Sequence, residues 1–206
     1  MNPACRVHTV WAPRWLLAAA LAGCSSTPPI HFHSLVAPAV NKGNVASVVP
    51  ASSVRFEVLP VTVPVQVDVP QFVVRLGDGS IAVLEHERWV APLPDEIRSA
   101  VALRVDQTLA GASAASSAAS PGVWRVSLDV QRFDAALGRA ASVQLSWSLR
   151  PAGAATVLRC QASYEEPVGN GASALAAGYR TVFERLGDAI GQALKAAAAG
   201  ATPSCG

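Results

Sequence analysis

The segment "EHERW", residues 85–89, combines two carboxylates and an imidazole, side chains often used for proton transfer and metal binding. Side chains alternate along a strand, so Glu85 and Glu87 would point to one face and His86 to the other. The three groups would then not converge on one reacting atom. We therefore expect Glu85 and Arg88 to make structural ion pairs, with Trp89 packed beneath them, rather than to perform catalysis.

The segment "IHFHSL", residues 30–35, places His31 and His33 on one face of a short predicted strand. Two imidazoles can begin a zinc site, but zinc takes three or four protein ligands and the neighbouring sequence offers no others. The sequence also contains no Gly-x-Ser-x-Gly, phosphate-binding glycine-rich loop or Cys-x-x-Cys motif. We expect no metal, no cofactor and no enzymatic activity.

The N-terminus has the pattern of a secretion signal that ends at a cysteine. Arg6 and Arg14 precede an apolar run at residues 15–22, much shorter than the ~20 residues of a membrane-spanning helix. The following "LAGC" resembles the bacterial lipobox, whose cysteine is lipidated and becomes the first residue of the mature chain. We expect residues 1–23 to be a lipoprotein signal peptide and Cys24 the lipidation site. The alternative is an ordinary cleavage site with an incidental cysteine.

The mature chain would carry no net charge. Removal of residues 1–23 leaves 183 of the 206 residues, and 14 of the 16 Lys and Arg side chains against 14 Asp and Glu. A length of this order fits one domain. Proteins that bind nucleic acids carry basic patches, so this balance gives no support for such a partner.

Cys160 and Cys205 remain as an even pair in a compartment where disulfides persist. A bond between them would hold the C-terminal tail against the predicted sheet. In the competing interpretation, Cys160 is a small buried hydrophobe between Leu158 and Ala162, and Cys205 stays free. The sequence leaves both open.

Hydrophobic periodicity predicts an α/β fold. Apolar and polar residues alternate in "VWRVSLDVQRF", "SVQLSWSLR" and "TVLRCQASYEE", which predicts three antiparallel strands. "QFVVRL" and "IAVLE" flank a Gly-Asp-Gly turn and predict a hairpin. Two helices are predicted by apolar spacings of three and four residues, at Ile97, Val101, Val105 and Leu109 and at Tyr179, Phe183, Leu186, Ile190 and Leu194.

The expected architecture is a mixed or antiparallel sheet covered on one face by the two helices, in a single domain. We assign residues 24–53 to the lipid anchor, the first short strand and a linker. Residues 54–200 form the predicted domain, and residues 201–206 a flexible tail. The low-complexity stretch at residues 112–122 predicts a surface loop.

The region from "VDVPQFVVRL" to "VSLDVQRFDAALGRAASVQLSWSL" resembles the ABC-type transport auxiliary lipoproteins of the PqiC/YmbA type. The resemblance rests on a "D-x-P-Q-x-x-x-R" segment, an "E-x-x-R-W" segment with the Pro-Leu after it, and Arg-Phe-Asp in a central strand. These family-motif residues, also candidates for an interface, are Asp68, Pro70, Gln71, Arg75, Glu85, Arg88, Trp89, Pro92, Leu93, Arg132, Phe133 and Asp134.

The resemblance implies a non-enzymatic lipoprotein that faces the periplasm. It would work with an MCE-domain protein and an inner-membrane transporter component to move lipid between membranes, as a ring-like homo-oligomer. Three acyl chains on Cys24 would anchor it stably, and Ser25 after that cysteine favours the outer membrane. Asp68 and Arg75 would form ion pairs or a subunit contact. The alternative function is an envelope lipoprotein with hydrolase or cell-wall-binding activity on the same fold.

Overall fold

The computed structural model describes residues 28–36, 54–110 and 122–205. The predicted signal peptide, Cys24, the linker after residue 36 and all but the last residue of the predicted loop at residues 112–122 lie outside these ranges. Within them are seven strands and two α-helices: β1 (His31–His33), β2 (Phe56–Val58), β3 (Gln71–Arg75), β4 (Ile81–Trp89), α1 (Leu93–Ala110), β5 (Trp124–Ala136), β6 (Ala140–Pro151), β7 (Leu158–Pro167) and α2 (Ala172–Ala198).

The larger sheet has the order β2-β5-β6-β7, in which β5, β6 and β7 form the predicted antiparallel ladder. The alternation of the sequence orients one face of the ladder inward, where Val126, Leu145 and Trp147 are buried. The short strand β2 adds parallel to the first part of β5. A register shift between Val130 and Arg132 interrupts the ladder.

The smaller sheet has the order β1-β4-β3. Its hairpin turns at residues 76–80, where Gly79 has φ of 88°, a conformation that glycine adopts without a steric penalty. Phe72 and Val74 of β3 are buried. Val73 and Val83 form a cross-strand pair and lie at least partly exposed. The sheet is therefore apolar on both faces.

The two helices pack on each other and on the larger sheet. Ile97 of α1 and Phe183 of α2 have no exposed surface, as the predicted periodicity requires. The helices approach closely at Gly191, where an added Cβ would lie 2.7 Å from the Thr108 side chain. Beside this contact the Arg104 guanidinium forms two hydrogen bonds with Asp188, at 2.8 and 2.7 Å. These bonds, opposed by partial burial, keep the pKa of Asp188 below its ordinary value.

The predicted fold class is confirmed, with two differences in detail. The strands form two sheets rather than one, because the β3–β4 hairpin pairs with β1 and with no described strand of the larger sheet. The folded unit also begins earlier than residue 54. Strand β1 pairs in parallel with β4, and Leu35 lies in the core.

A disulfide joins Cys160 to Cys205, with the two Cα atoms 5.6 Å apart. Cys160 is buried on the inner face of β7. The tail still reaches it because the chain reverses after α2, where Gly200 has φ of 75° and the Ala201 amide donates to the Ala196 carbonyl at 2.9 Å. The residues that follow the helix thus return to the sheet.

Candidate functional site

Most of the motif residues from the first part of the domain meet around one open cleft, which we call the motif groove. It has a volume of about 440 Å³ and lies between β1, the segment before β3, and the segment that joins β4 to α1. Its lining consists of Phe32, Asp68, Val69, Pro70, Arg88, Trp89, Val90, Ala91, Pro92 and Leu93. Residues that are up to 61 positions apart in the sequence, from Phe32 to Leu93, therefore form one surface.

Backbone hydrogen bonds fix the walls of the motif groove. The Trp89 amide donates to the Pro70 carbonyl, and the Val90 amide donates to the His33 carbonyl, both at 2.9 Å. The Trp89 ring packs inward on Phe72, with the ring centroids 4.1 Å apart. Val90 is left 62% exposed at the rim. The groove thus has a rigid base and an apolar, accessible edge.

The charged motif residues Glu85 and Arg88 are not paired as we predicted. Arg88 forms no ion pair among the described residues, and its buried Nε has no hydrogen-bond partner there. Glu85 instead accepts a hydrogen bond from the Gln71 amide nitrogen at 3.4 Å. Neither side chain meets an oppositely charged group among the described residues, so the predicted ion pairs of Glu85 and Arg88 are wrong.

Three other polar motif residues, Arg75, Arg132 and Asp134, line a second cleft, the inter-sheet groove, where β3 and β4 meet β5. Its volume is about 520 Å³. Asp134 lies between two arginines and accepts hydrogen bonds from Arg75, at 3.1 Å, and from Arg132. Burial acts to raise the pKa of Asp134, but the bonds from Arg132 and Arg75 outweigh it and the pKa is lowered. Arg75 thus joins the two sheets, while its predicted role at a subunit contact stays a prediction.

The buried motif residues form the packing between the two grooves. Trp89 and Phe133 both contact Tyr179 of α2, and the Phe133 and Tyr179 rings stack with centroids 4.1 Å apart. Leu93 is buried at the start of α1. Burial raises the pKa of Tyr179 well above its ordinary value, and its hydroxyl has no partner among the described residues. These motif residues position the groove walls rather than form a reactive site.

Two acidic residues hold the segment that follows the predicted anchor. Glu87 accepts hydrogen bonds from His31, at 3.1 Å, and from His33, at 2.5 Å. Burial acts to raise the pKa of Glu87, but the hydrogen bonds from His33 and His31 outweigh it, and the pKa is lowered. This contact joins residues 54 positions apart, so the pattern of residues within β4 alone does not indicate it.

Glu96 makes the second contact. It is 5% exposed, and one of its oxygens accepts hydrogen bonds from the Ser34 hydroxyl and the Leu35 amide, both at 2.7 Å. The sequence pattern of α1 offers an indication of this contact. Glu96 lies next to the predicted buried position Ile97, and a buried carboxylate without a hydrogen-bond partner would be costly.

Within the described residues, no group of three or more His, Cys, Asp or Glu side chains is arranged to hold a metal ion. In the same part of the chain, no helix combines the length and the apolar composition needed to cross a bilayer. The candidate functional features are therefore the motif groove, the inter-sheet groove and residues 31–35, which contact Glu87 and Glu96.

Two solved structures share this fold. The crystal structure of an uncharacterized protein has a TM-score of 0.61 at 15% identity, over 80% of this chain and 97% of the other. Protein XCC0632 from Xanthomonas campestris, of the DUF330 family, has a TM-score of 0.58 at 19% identity, over 82% and 96% of the two chains. No curated relative matches the sequence. These likenesses define the α/β fold class.

The family profile described as "ABC-type transport auxiliary lipoprotein component" matches residues 36–191. The chain belongs to this family, and the resemblance inferred from the motif residues is confirmed. The family description supports a transport auxiliary role and a lipoprotein that works with an ABC-type transporter. It does not extend to the particular partner or membrane.

Proposed function

We propose that this protein is a non-enzymatic lipoprotein subunit of an MCE-type system that moves lipid between membranes. It docks the periplasmic MCE-domain protein at the outer membrane, while an inner-membrane transporter component completes the system. The observation that carries this proposal is the motif groove, in which six family-motif residues surround a cleft with an exposed apolar rim.

The position of the groove relative to the anchor supports docking near a membrane surface. His31 is seven positions after Cys24, and an extended chain covers at most about 3.6 Å per position, or about 25 Å in total. Lipid on Cys24 would therefore keep β1 close to the bilayer. Since Phe32 of β1 lines the motif groove, the groove would lie close to the bilayer as well.

The chemistry of the groove fits a partner that offers apolar side chains and a carboxylate. Phe32 and Val90 are each 62% exposed, and such apolar surface next to polar groups is typical of protein contacts. The Arg88 guanidinium has no ion-pair partner among the described residues and would take an acidic group. The ring-like homo-oligomer remains a further proposal.

Co-purification with the MCE-domain protein of the same organism tests the docking role. Full-length lipoprotein carrying Val90→Asp should recover at least about tenfold less of that partner than the wild type, because a charge would be buried at the contact. Val157→Asp is the matched control, since Val157 is also exposed, at 47%, but lies outside the groove. Equal recovery by Val90→Asp and wild type, or equal loss in both variants, would contradict docking at the motif groove.

Cys24→Ser tests the anchor separately. This variant should lack acylation and should leave the outer-membrane fraction. Normal acylation and outer-membrane recovery would refute the lipoprotein assignment of Cys24, whatever the result for Val90.

A further inference from the structure

The outer face of the β3–β4 hairpin carries exposed apolar side chains close to its turn. Antiparallel sheets commonly pair one buried face with one polar face that meets water. Here Ile81 is 53% exposed and Val83 is 46% exposed, and both line the inter-sheet groove. Their partners across the hairpin are Arg75 and Val73. The groove therefore has an exposed apolar wall at Ile81 and Val83, which favours an occupant with apolar surface of its own.

The inter-sheet groove has the size and lining of a small-molecule site. Its volume of about 520 Å³ lies within the roughly 300–1,000 Å³ of such clefts. Eight of its fourteen lining residues are Val, Ile, Phe or Ala, namely Val67, Val69, Val73, Val74, Ile81, Val83, Phe133 and Ala135. This lining favours an occupant with a long apolar part.

The charged residues of the groove lie at one end. Strand β3 runs from Gln71 to Arg75, and Val69 lies just before it. From Gln71 to Arg75 the strand covers about 13 Å, at about 3.3 Å per residue. Asp134 and Arg132 join Arg75 at the far end. The groove thus changes from apolar at Val69 to charged at Arg75.

The charged end has a surplus of positive charge. Asp134 is the single carboxylate among the lining residues and is shared by Arg75 and Arg132, which leaves one net positive charge. Arg132 uses only its Nε in this contact and is 56% exposed. Its two terminal nitrogens form no hydrogen bond with the described residues and are free to bind an anion.

We propose that the inter-sheet groove binds a single-chain anionic amphiphile. The acyl chain lies along Val73 and Val83 toward Val69, and the carboxylate or phosphate head contacts Arg132 and Arg75. An extended peptide fits less well, because a peptide presents polar backbone along its whole length, whereas the charges of this groove lie at one end. The site does not depend on docking of an MCE-domain protein, since the motif groove is a separate cleft.

Photolabelling tests the site on the full-length lipoprotein in phosphatidylcholine nanodiscs. The probe is a palmitic acid analogue with a mid-chain diazirine and a terminal alkyne. Saturable labelling should map to the peptides that contain Val73, Ile81 and Val83. Unlabelled palmitate or lysophosphatidylglycerol should compete, whereas methyl palmitate, which has no charge, should not. The stronger of the two competitors identifies the head group as carboxylate or phosphate.

Two variants with matched controls separate a specific site from general partitioning into the bilayer. Arg132→Gln and Val83→Asp should each reduce labelling by about tenfold, as expected for loss of a charge-assisted hydrogen bond to the head group or for a charge placed against the acyl chain. Arg125→Gln, on the same strand but outside the groove, and Val157→Asp should label as the wild type does. Unsaturable labelling, competition by methyl palmitate equal to that by palmitate, or equal labelling in all variants would overturn the proposal. So would saturable labelling confined to other peptides.

Discussion

Replacing Glu96 with alanine should release the segment that links the predicted lipid anchor to the folded domain. Glu96 is buried in the first turn of α1 and accepts hydrogen bonds from Ser34 and from the backbone of Leu35. Alanine removes the acceptor and leaves the buried Leu35 amide without a partner. The Leu35 side chain, which is 3% exposed, would then be held only by its apolar contacts.

The size of the effect follows from these contacts. A hydrogen bond to a charged group contributes about 1.5–3 kcal/mol, and two that share one oxygen are not fully additive, so we expect a loss of about 3 kcal/mol in the free energy of unfolding. A domain of this size changes its melting temperature by about 2–4 °C per kcal/mol, which gives a decrease of about 6–12 °C. Ser34→Ala removes the hydroxyl that donates to Glu96 and accepts from the Val36 amide but keeps the Leu35 bond, and it should cost about 2 kcal/mol.

Urea unfolding and hydrogen exchange together measure this prediction. The amide of Leu35 should exchange faster in Glu96→Ala, and this local readout distinguishes release of the segment from general destabilisation. Glu96→Gln keeps an oxygen that can accept both hydrogen bonds, so its free energy of unfolding should be closer to that of the wild type. The reasoning is refuted if Glu96→Ala unfolds within about 0.5 kcal/mol of the wild type, a size usual for surface substitutions without a structural role.

Three further predictions concern the remainder of the domain. Cys205→Ser should lower the free energy of unfolding by about 4 kcal/mol, the chain-entropy estimate for a disulfide that closes a 45-residue loop. An unchanged melting temperature would show that the Cys160–Cys205 disulfide does not constrain the unfolded chain. Trp147→Ala, at a position 2% exposed, should cost about 3–5 kcal/mol, measured by urea unfolding. Asp188→Asn should be less stable than the wild type at neutral pH. The folded-state pKa of Asp188 is lowered, so the carboxylate stabilises the fold only while it is ionised. The stability difference between wild type and Asp188→Asn should therefore disappear as the pH falls below about 3.8 and through the folded-state pKa. A stability difference that does not change with pH would contradict this prediction.

The sequence predicted those parts of the fold that depend on local periodicity. The alternation around Trp147 and the spacing of Ile97, Val101 and Val105 place these side chains in the core, because one face of a strand or helix must be buried. The hairpin followed from the turn at Gly79, whose positive φ glycine readily adopts. These features require no knowledge of which elements become neighbours.

The contacts that form the candidate site could not be predicted in this way. Glu87 meets His33 across 54 positions of the sequence, and Glu96 meets Leu35 across 61. Their pairing depends on β1 joining β4 in parallel, and a strand of three residues carries too little pattern to specify its neighbour. The resemblance located Arg88 as a motif residue but did not show that its guanidinium lies in an apolar cleft.

Strand β1 would connect the proposed lipid anchor at Cys24 with the proposed docking surface at the motif groove. Its outer residue Phe32 forms part of the motif groove, whereas His31 and His33 bind Glu87, and the next residues bind Glu96. A lateral pull on lipid at Cys24 would therefore be carried by β1 to β4 and α1, the two elements between which the groove opens. If these contacts were lost, the domain would stay folded around its larger sheet, but Phe32 would leave the groove. We therefore expect the released form of Glu96→Ala to lose partner binding as well as segment protection. The docking proposal and the anchoring contacts thus rest on the same three-residue strand.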